Sequence, residues 1–222
     1  MNRRMALATF FGLAGAAILF SLGTWQLQRL NWKTDLLAGI AARLEQPAVA
    51  LPANPDPVDD EYLRVTVSGV IEPVELHVLT SGDLGPGFKV ISPMVLADGR
   101  RILIDRGYIG ETGKNTPRKG GPATVTGALV WPEETDSFVP APNLERNIWF
   151  ARDVAMMADT LKTEPVMISV TTTDNTDGVL PQPVSINISN RHMEYVLTWY
   201  SMAIIWIGMT GYAVWRIKRQ TD

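Results

Sequence analysis

Apolar and polar positions along this chain follow three patterns, and each predicts a different kind of element. From Met5 to Leu27 the run MALATFFGLAGAAILFSLGTWQL has no charged residue, and neither has YVLTWYSMAIIWIGMTGYAVW, Tyr195 to Trp215. Neither run leaves a polar face at helical spacing, which is unusual for the core helix of a water-soluble domain. At about 1.5 Å per residue each is long enough to cross a hydrocarbon core of about 30 Å. The pattern therefore predicts transmembrane helices at 5–27 and 195–215, enclosing an extramembrane domain at 28–194.

That domain opens with a helical stretch, NWKTDLLAGIAARL, followed by a link containing Pro47, Pro52, Pro55 and Pro57. Proline lacks an amide donor and fixes φ, so the link is expected to be extended. Alternation then takes over. Leu63, Val65 and Val67 alternate with Arg64, Thr66 and Ser68 in 62–71, the signature of a half-buried strand. Further strands are expected at 75–81, 88–96, 101–109 and 123–131, the last with Val125, Leu129 and Trp131 on one face. Ala97-Asp98-Gly99 supplies a hairpin turn. Asn147–Phe150 reads as a strand end, 152–161 as a short helix, and Val166, Ile168 and Val170 as another strand. Ile186 and Ile188 begin a last one. Seven or eight short strands suggest a mainly antiparallel β domain, a sandwich or small barrel, flanked by two transmembrane α-helices.

A cleaved signal peptide is the rival reading of the first run, but its cut at Ala14-Gly15-Ala16 would fall inside the apolar core, which continues through Leu22. A twin-arginine signal is a weaker alternative. Arg3 and Arg4 precede the first run and Arg216, Lys218 and Arg219 follow the second. Positive flanks stay on the cytoplasmic side. Both termini are thus expected in the cytoplasm, with 28–194 in a periplasm or an intermembrane space. A short N-terminus without a transit peptide favours a multi-pass protein of a bacterial inner membrane.

Composition narrows the chemistry. The chain has 222 residues, no cysteine, two histidines and a net charge of -3. Disulfides, thiolate metal sites and iron–sulfur clusters are excluded, and nothing favours a nucleic-acid partner. No phosphate loop or nucleophile elbow is present. Ser92 and Lys89, three apart in a strand, point to opposite faces and make a poor hydrolase dyad. The chain is not expected to be an enzyme, and no catalytic residue is assigned. His77 reads as an ordinary surface or partly buried strand histidine, and the basic stretch Lys114–Pro122 as a solvated loop.

His192 differs because it stands just before the second apolar run. Tyr195, Trp199, Met202, Trp206 and Thr210 share its helix face. An interfacial aromatic belt with helix packing explains Tyr195 and Trp199 and is the reading that residue physics alone favours. It fits Trp206, near mid-bilayer, less well. The functional alternative is haem, whose iron a single imidazole can ligate. Trp25, Gln26 and Arg29 top the first run, and Arg29 can pair with an anionic group. Small residues Ala8, Gly12 and Ala16, and Gly208 and Gly211 on the second run, allow close helix contact.

The motifs resemble those of the surfeit locus protein 1 family, assembly factors for haem–copper cytochrome c oxidase, nearly end to end. Gly23-Thr24-Trp25-Gln26-Leu27-Gln28-Arg29 matches that family's Gly-x-Trp-Gln-x-x-Arg pattern, and Trp32-Lys33 follows. Pro93-Met94-Val95-Leu96-Ala97-Asp98-Gly99 matches its Pro-(Leu/Met)-x-Leu-x-x-Gly stretch. Asp105-Arg106-Gly107-Tyr108 keeps the Arg-Gly core of its Asn-Arg-Gly-Trp motif but alters both flanks. Asn147–Asp153 resembles its Asn-x-Trp-(Tyr/Phe)-x-Arg-Asp segment, and His192, Tyr195, Thr198 and Trp199 match its His-x-x-Tyr-x-x-Thr-Trp.

The resemblance implies an assembly factor that binds haem a as transient cargo and aids its insertion into oxidase subunit I. It implies His192 as the iron ligand, with Trp25, Arg106, Tyr195 and Trp199 as cofactor-binding residues. Gly23 also carries over as a motif residue. Arg29 and Arg106 are candidates for the haem propionates, and Asp105 for an internal pair with Arg106. Subunit I, haem a synthase, other assembly factors and the lipid bilayer are the implied partners. A cofactor-free membrane-anchored scaffold for oxidase subunits is the alternative. Alkaline phosphatase fused within 28–194 is expected to be active in bacterial cells, and fused at the C-terminus to be inactive; an active C-terminal fusion would reverse the orientation.

Overall fold

The alternation expected in the middle of the chain resolves into strands that curl until the first meets its end. In a computed structural model, which describes residues 3–82, 84–184 and 191–220, the order is a long helix, a mostly β segment and a second long helix. Helix α1 is Arg3–Glu45, followed by β1 (Val49–Ala50), β2 (Arg64–Ile71), β3 (Leu76–Gly82), β4 (Gly85–Leu96), β5 (Arg101–Gly110) and β6 (Gly121–Val130). Helix α2 (Val154–Leu161), β7 (Met167–Thr173) and α3 (His192–Arg219) complete the chain. Two units result, one of Met1–Gly39 with Asn187–Asp222 and one of Ile40–Ile186.

In the β unit the strands run β2-β6-β7-β5-β4, and β2 returns to pair with β4 through Gly69–Ile71 against Met94–Leu96. This ring is a small closed barrel, the second of the two architectures the strand pattern allowed. Closure removes the unpaired edges that an open sheet would expose. Pairing is antiparallel around the ring except between β5 and β7, which are parallel, so the antiparallel expectation holds mainly but not throughout. β1 joins β2 in parallel, and β3 pairs with the other end of β4. The isolated bridge between Val78 and Trp149 adds the short expected segment beside β3.

Period two sorts the apolar residues into two layers. Val65, Val67, Met94, Ile104, Val125 and Ile168, with their neighbours from all five ring strands, fill the barrel interior. Ile91, Leu103, Val130 and Met167 face outward, where α2 covers them with Val154, Met157 and Leu161, and Trp149 is buried beside them. Asp153 caps α2 by accepting from Met156 N–H at 2.9 Å, and Lys162 ends it in the left-handed region at φ 58. β6 stops at Val130. Trp131, just beyond its end, lies half-buried and packs against the interior cluster that holds Val125 and Leu129, as expected, and against the outer layer as well, with its indole N–H donating to the Pro165 carbonyl. The strand expected at Ile186 and Ile188 lies outside the described residues.

Helix α1 joins the first apolar run and the helical stretch after it into one element of 43 residues, long and apolar enough by length and composition to cross a membrane. Ring closure in the β unit needs a residue without a side chain at Gly69, where an added Cβ would stand 2.2 Å from the Val95 carbonyl oxygen. Gly69→Val is therefore expected to destabilise the protein by about 3 kcal/mol, although valine is the better strand former. Urea unfolding followed by tryptophan emission tests this; an unchanged midpoint would show that the closure tolerates a side chain.

Candidate functional site

Helices α1 and α3 pack antiparallel, and small residues of α1 set how closely. Gly12, Ala16 and Gly23 are buried in α1, as are Val196 and Ala203 in α3. An added Cβ at Gly12, Gly15 or Gly23 would collide with Thr210, Trp206 or Tyr200 respectively. Trp206 donates its indole N–H to the Gly12 carbonyl at 3.0 Å, and Thr24 shares a hydroxyl bond with Tyr200. Trp206, which the reading of belt with helix packing fitted less well, is thus taken up in the helix seam. Gly208 and Gly211 do not help as expected: among the described residues no other part of the protein comes within 4 Å of a Cβ built on either.

At the top of this seam the His192 Nδ1–H donates to Gln26 Oε1 at 2.7 Å. An amide oxygen only accepts, so in the neutral imidazole the bond places the ring proton on Nδ1 and leaves the Nε2 lone pair available. Among the described residues none bonds Nε2. A hydrogen bond of this kind is what orients a metal-ligating imidazole. Trp25 and Tyr195 stand mostly exposed at this end of the helix pair and Trp199 is half-buried. The Arg29 guanidinium lies over the Trp32 ring, 4.2 Å from its centre.

Charge in the β unit is arranged in two buried networks that spacing along the chain does not reveal. His77 is 5% exposed rather than a surface residue, with Nε2 against Glu75 Oε1 at 2.8 Å. Arg118 donates to the same oxygen at 2.6 Å. The stretch Lys114–Pro122 is therefore not a wholly solvated loop; Arg118 is buried as the partner of the Glu75 carboxylate just before β3. Asn147 ties in by donating to the Glu75 carbonyl. Burial pushes the Glu75 carboxyl up, but the His77 bond and the Arg118 charge outweigh it and hold it below the ordinary glutamate value.

Asp105 anchors the second network. Its carboxylate, 1% exposed, meets Lys89 at 3.2 Å and Arg152 at 3.1 Å, and it accepts from Gly107 N–H. The pair suggested between Asp105 and Arg106 does not form, because adjacent strand residues point to opposite faces. Arg106, 4% exposed, instead donates to the Thr176 carbonyl and faces Asp177 at 3.8 Å. Burial lowers its pKa, partly offset by Asp177 and Glu75. Gly107 follows at φ +114, where a Cβ would meet the Leu180 carbonyl oxygen at 2.1 Å, which explains the Arg-Gly pair sterically. Burial lifts the Glu134 carboxyl, yet bonds from Arg152 bring it below its usual range. Lys89 is held by Asp105 and the Ser92 hydroxyl is buried without a partner, so no Ser–Lys pair exists among the described residues.

The candidate residues thus divide: His192, Trp25, Tyr195 and Trp199 belong to the helical unit and Arg106 to the barrel unit. Comparison with known proteins adds the family. The sequence matches the SURF1 family over residues 13–204. The chain belongs to the SURF1 family. It is 34% identical over 218 residues to a SURF1-like protein of Monosiga brevicollis, covering 89% of this chain and 84% of that one. Surfeit locus protein 1 of Homo sapiens is 31% identical over 209 residues, covering 83% and 70%, and that of Rattus norvegicus 30% over 210, covering 84% and 69%. The SURF1 match begins inside α1 and ends inside α3. It includes Gln26, the barrel and His192, whereas Trp206 and Thr210 lie beyond it.

Both lowered carboxylates predict acid sensitivity. Their folded pKa values lie below the unfolded ones, so the stability they contribute is present above about pH 4.3 and is lost as pH falls through the folded values. The melting temperature is expected to drop in that window. Glu75→Gln is expected to lower it at neutral pH and to flatten the acid slope; an unchanged slope would remove Glu75 from the network's energetics.

Proposed function

We propose that the chain is a membrane-anchored haem a chaperone for assembly of haem–copper cytochrome c oxidase, delivering its cargo to subunit I. The observation that carries this reading is the His192–Gln26 bond. It fixes the imidazole tautomer and leaves Nε2 as a ligand for haem iron, which a single protein histidine can hold. One ligand and an open second position suit a carrier that must release its cargo. Membership of the SURF1 family supports the same reading, since Gln26 and His192 both fall inside the matched region.

Membrane anchoring rests on α1 and, by its uncharged run, on α3. Phe10, Phe11, Leu13, Ile18, Ile204 and Ile205 are exposed apolar side chains on these helices, a surface that lipid satisfies and water does not. Charge flanks favour both termini in the cytoplasm of a bacterial cell and the barrel in the periplasm. Trp25, Tyr195 and Trp199 offer ring faces near His192 for the macrocycle, and lipid suits the apolar tail of haem a. Arg106, buried and bonded within the barrel, is assigned to the fold, which leaves Arg29 as the candidate for a propionate.

A cofactor-free scaffold for oxidase subunits is the second reading, favoured by Trp206, whose indole is taken up by helix packing. Absorption spectra of detergent-purified protein from haem a-producing cells separate the two. The wild type is expected to show a Soret band, and His192→Ala to lose or greatly shift it while remaining inserted. Gln26→Leu is expected to keep the ligand but lower haem occupancy about tenfold or more, as loss of an orienting partner does. Wild-type stoichiometry and maxima in His192→Ala would refute the ligand assignment.

A further inference from the structure

The β unit carries a groove that its own fold leaves open. Its space of about 210 Å³ lies between α2 and the loop before it, lined by Val139, Pro140, Pro142, Trp149, Phe150 and Met156. The walls are fixed in advance. Trp149 N–H donates to the His77 carbonyl and its own carbonyl accepts from Leu79 N–H, while Asp153 caps α2. Beside the groove Phe138 is 89% exposed and Phe150 40%. With Val139, Pro140 and Pro142 they extend the apolar lining of the groove into one exposed patch, the kind of surface that marks an interaction site.

Charge identifies the kind of occupant. The stretch 132–145 contains Glu133, Glu134, Asp136 and Glu145 and no lysine or arginine. Only Glu134 is neutralised by an ion pair among the described residues, with Arg152. Asp136, in the groove lining, accepts from Phe138 and Val139 N–H. The surplus is felt nearby: burial raises the Glu61 carboxyl, and Glu133 pushes it up further. A preformed apolar slot lined by Asp136 and Asp153, on a loop (132–153) with five carboxylates against Arg146 and Arg152, suits an apolar anchor flanked by cations and disfavours acidic segments and anionic lipid.

We propose that this groove docks a segment of a protein partner that presents one bulky apolar side chain flanked by lysine or arginine. The site is independent of the haem reading and survives its failure. Its test uses full-length protein in phosphatidylcholine nanodiscs and three fluorescein-labelled peptides: tryptophan flanked by two lysines on each side, tryptophan flanked by glutamates, and the lysine peptide with serine replacing tryptophan. The lysine–tryptophan peptide is expected to bind with fluorescence anisotropy at least about tenfold more tightly than the other two, and more weakly as ionic strength rises to about 0.5 M. Ala141→Trp, which fills the groove, is expected to abolish binding, and the exposed pair Glu133→Lys with Thr135→Lys to weaken it about tenfold. The rim pair keeps the test decisive if the filled groove perturbs folding. Equal binding of the lysine–tryptophan and glutamate peptides, equal signal on empty nanodiscs, no binding up to about 1 mM, or full binding by the rim variant would each overturn the proposal.

Discussion

Close contact between α1 and α3 is the constraint on which the helical site depends. Glycines at 12, 15 and 23 leave room for the side chains of Thr210, Trp206 and Tyr200. With larger residues the helices would separate, and the short bond between His192 and Gln26 would open. Between two largely apolar helices, close packing and a few hydrogen bonds decide the register. Trp206 to the Gly12 carbonyl and Thr24 to Tyr200 are two such bonds, one toward each end of the seam. The His192–Gln26 geometry therefore depends on glycines along the seam as well as on the pair itself.

Closure plays the corresponding part in the barrel. The β4 strand is long enough to pair with β3 at one end and with β2 at the other, and the bare backbone at Gly69 lets the ring shut. Once it is shut, inward and outward faces are distinct. The inner face is mostly apolar, with Arg106 at one end beside Ile71, Ile104 and Val125, and buried charge is gathered into the Glu75–His77–Arg118 and Asp105–Lys89–Arg152 networks and the Arg106–Asp177 contact. Breaking a buried pair on one side costs about 3–5 kcal/mol because the surviving charge has no solvent. These networks consequently hold loops distant in sequence against the strands, including the segment at Asn147 that forms one side of the open groove.

Within the SURF1 family motif, residues that look alike in sequence have different physical jobs. Gly107 follows Arg106 because a carbonyl crowds its Cβ position, and Arg106 reaches Thr176 and Asp177 rather than solvent. Gln26 looks like a bystander beside Trp25, but it is the residue that sets the histidine tautomer. Motif membership marks all of them equally and does not separate a packing glycine from an orienting amide.

What the sequence determined by itself was everything carried by local periodicity. Two uncharged runs specify long helices, alternation between 62 and 131 specifies strands, and Asp98-Gly99 specifies the hairpin, because each signal lies within a few residues and follows from backbone geometry. The tertiary structure alone decided between barrel and sandwich, since that turns on β2 meeting β4 and β5 meeting β7 in parallel. It also decided which charges are buried. Glu75 and His77 are two apart at the start of β3, but Arg118 arrives from 43 residues away, and the Gln26–His192 bond spans 166. Such partners are chosen by where separate elements come to rest, and no spacing along the chain encodes that distance.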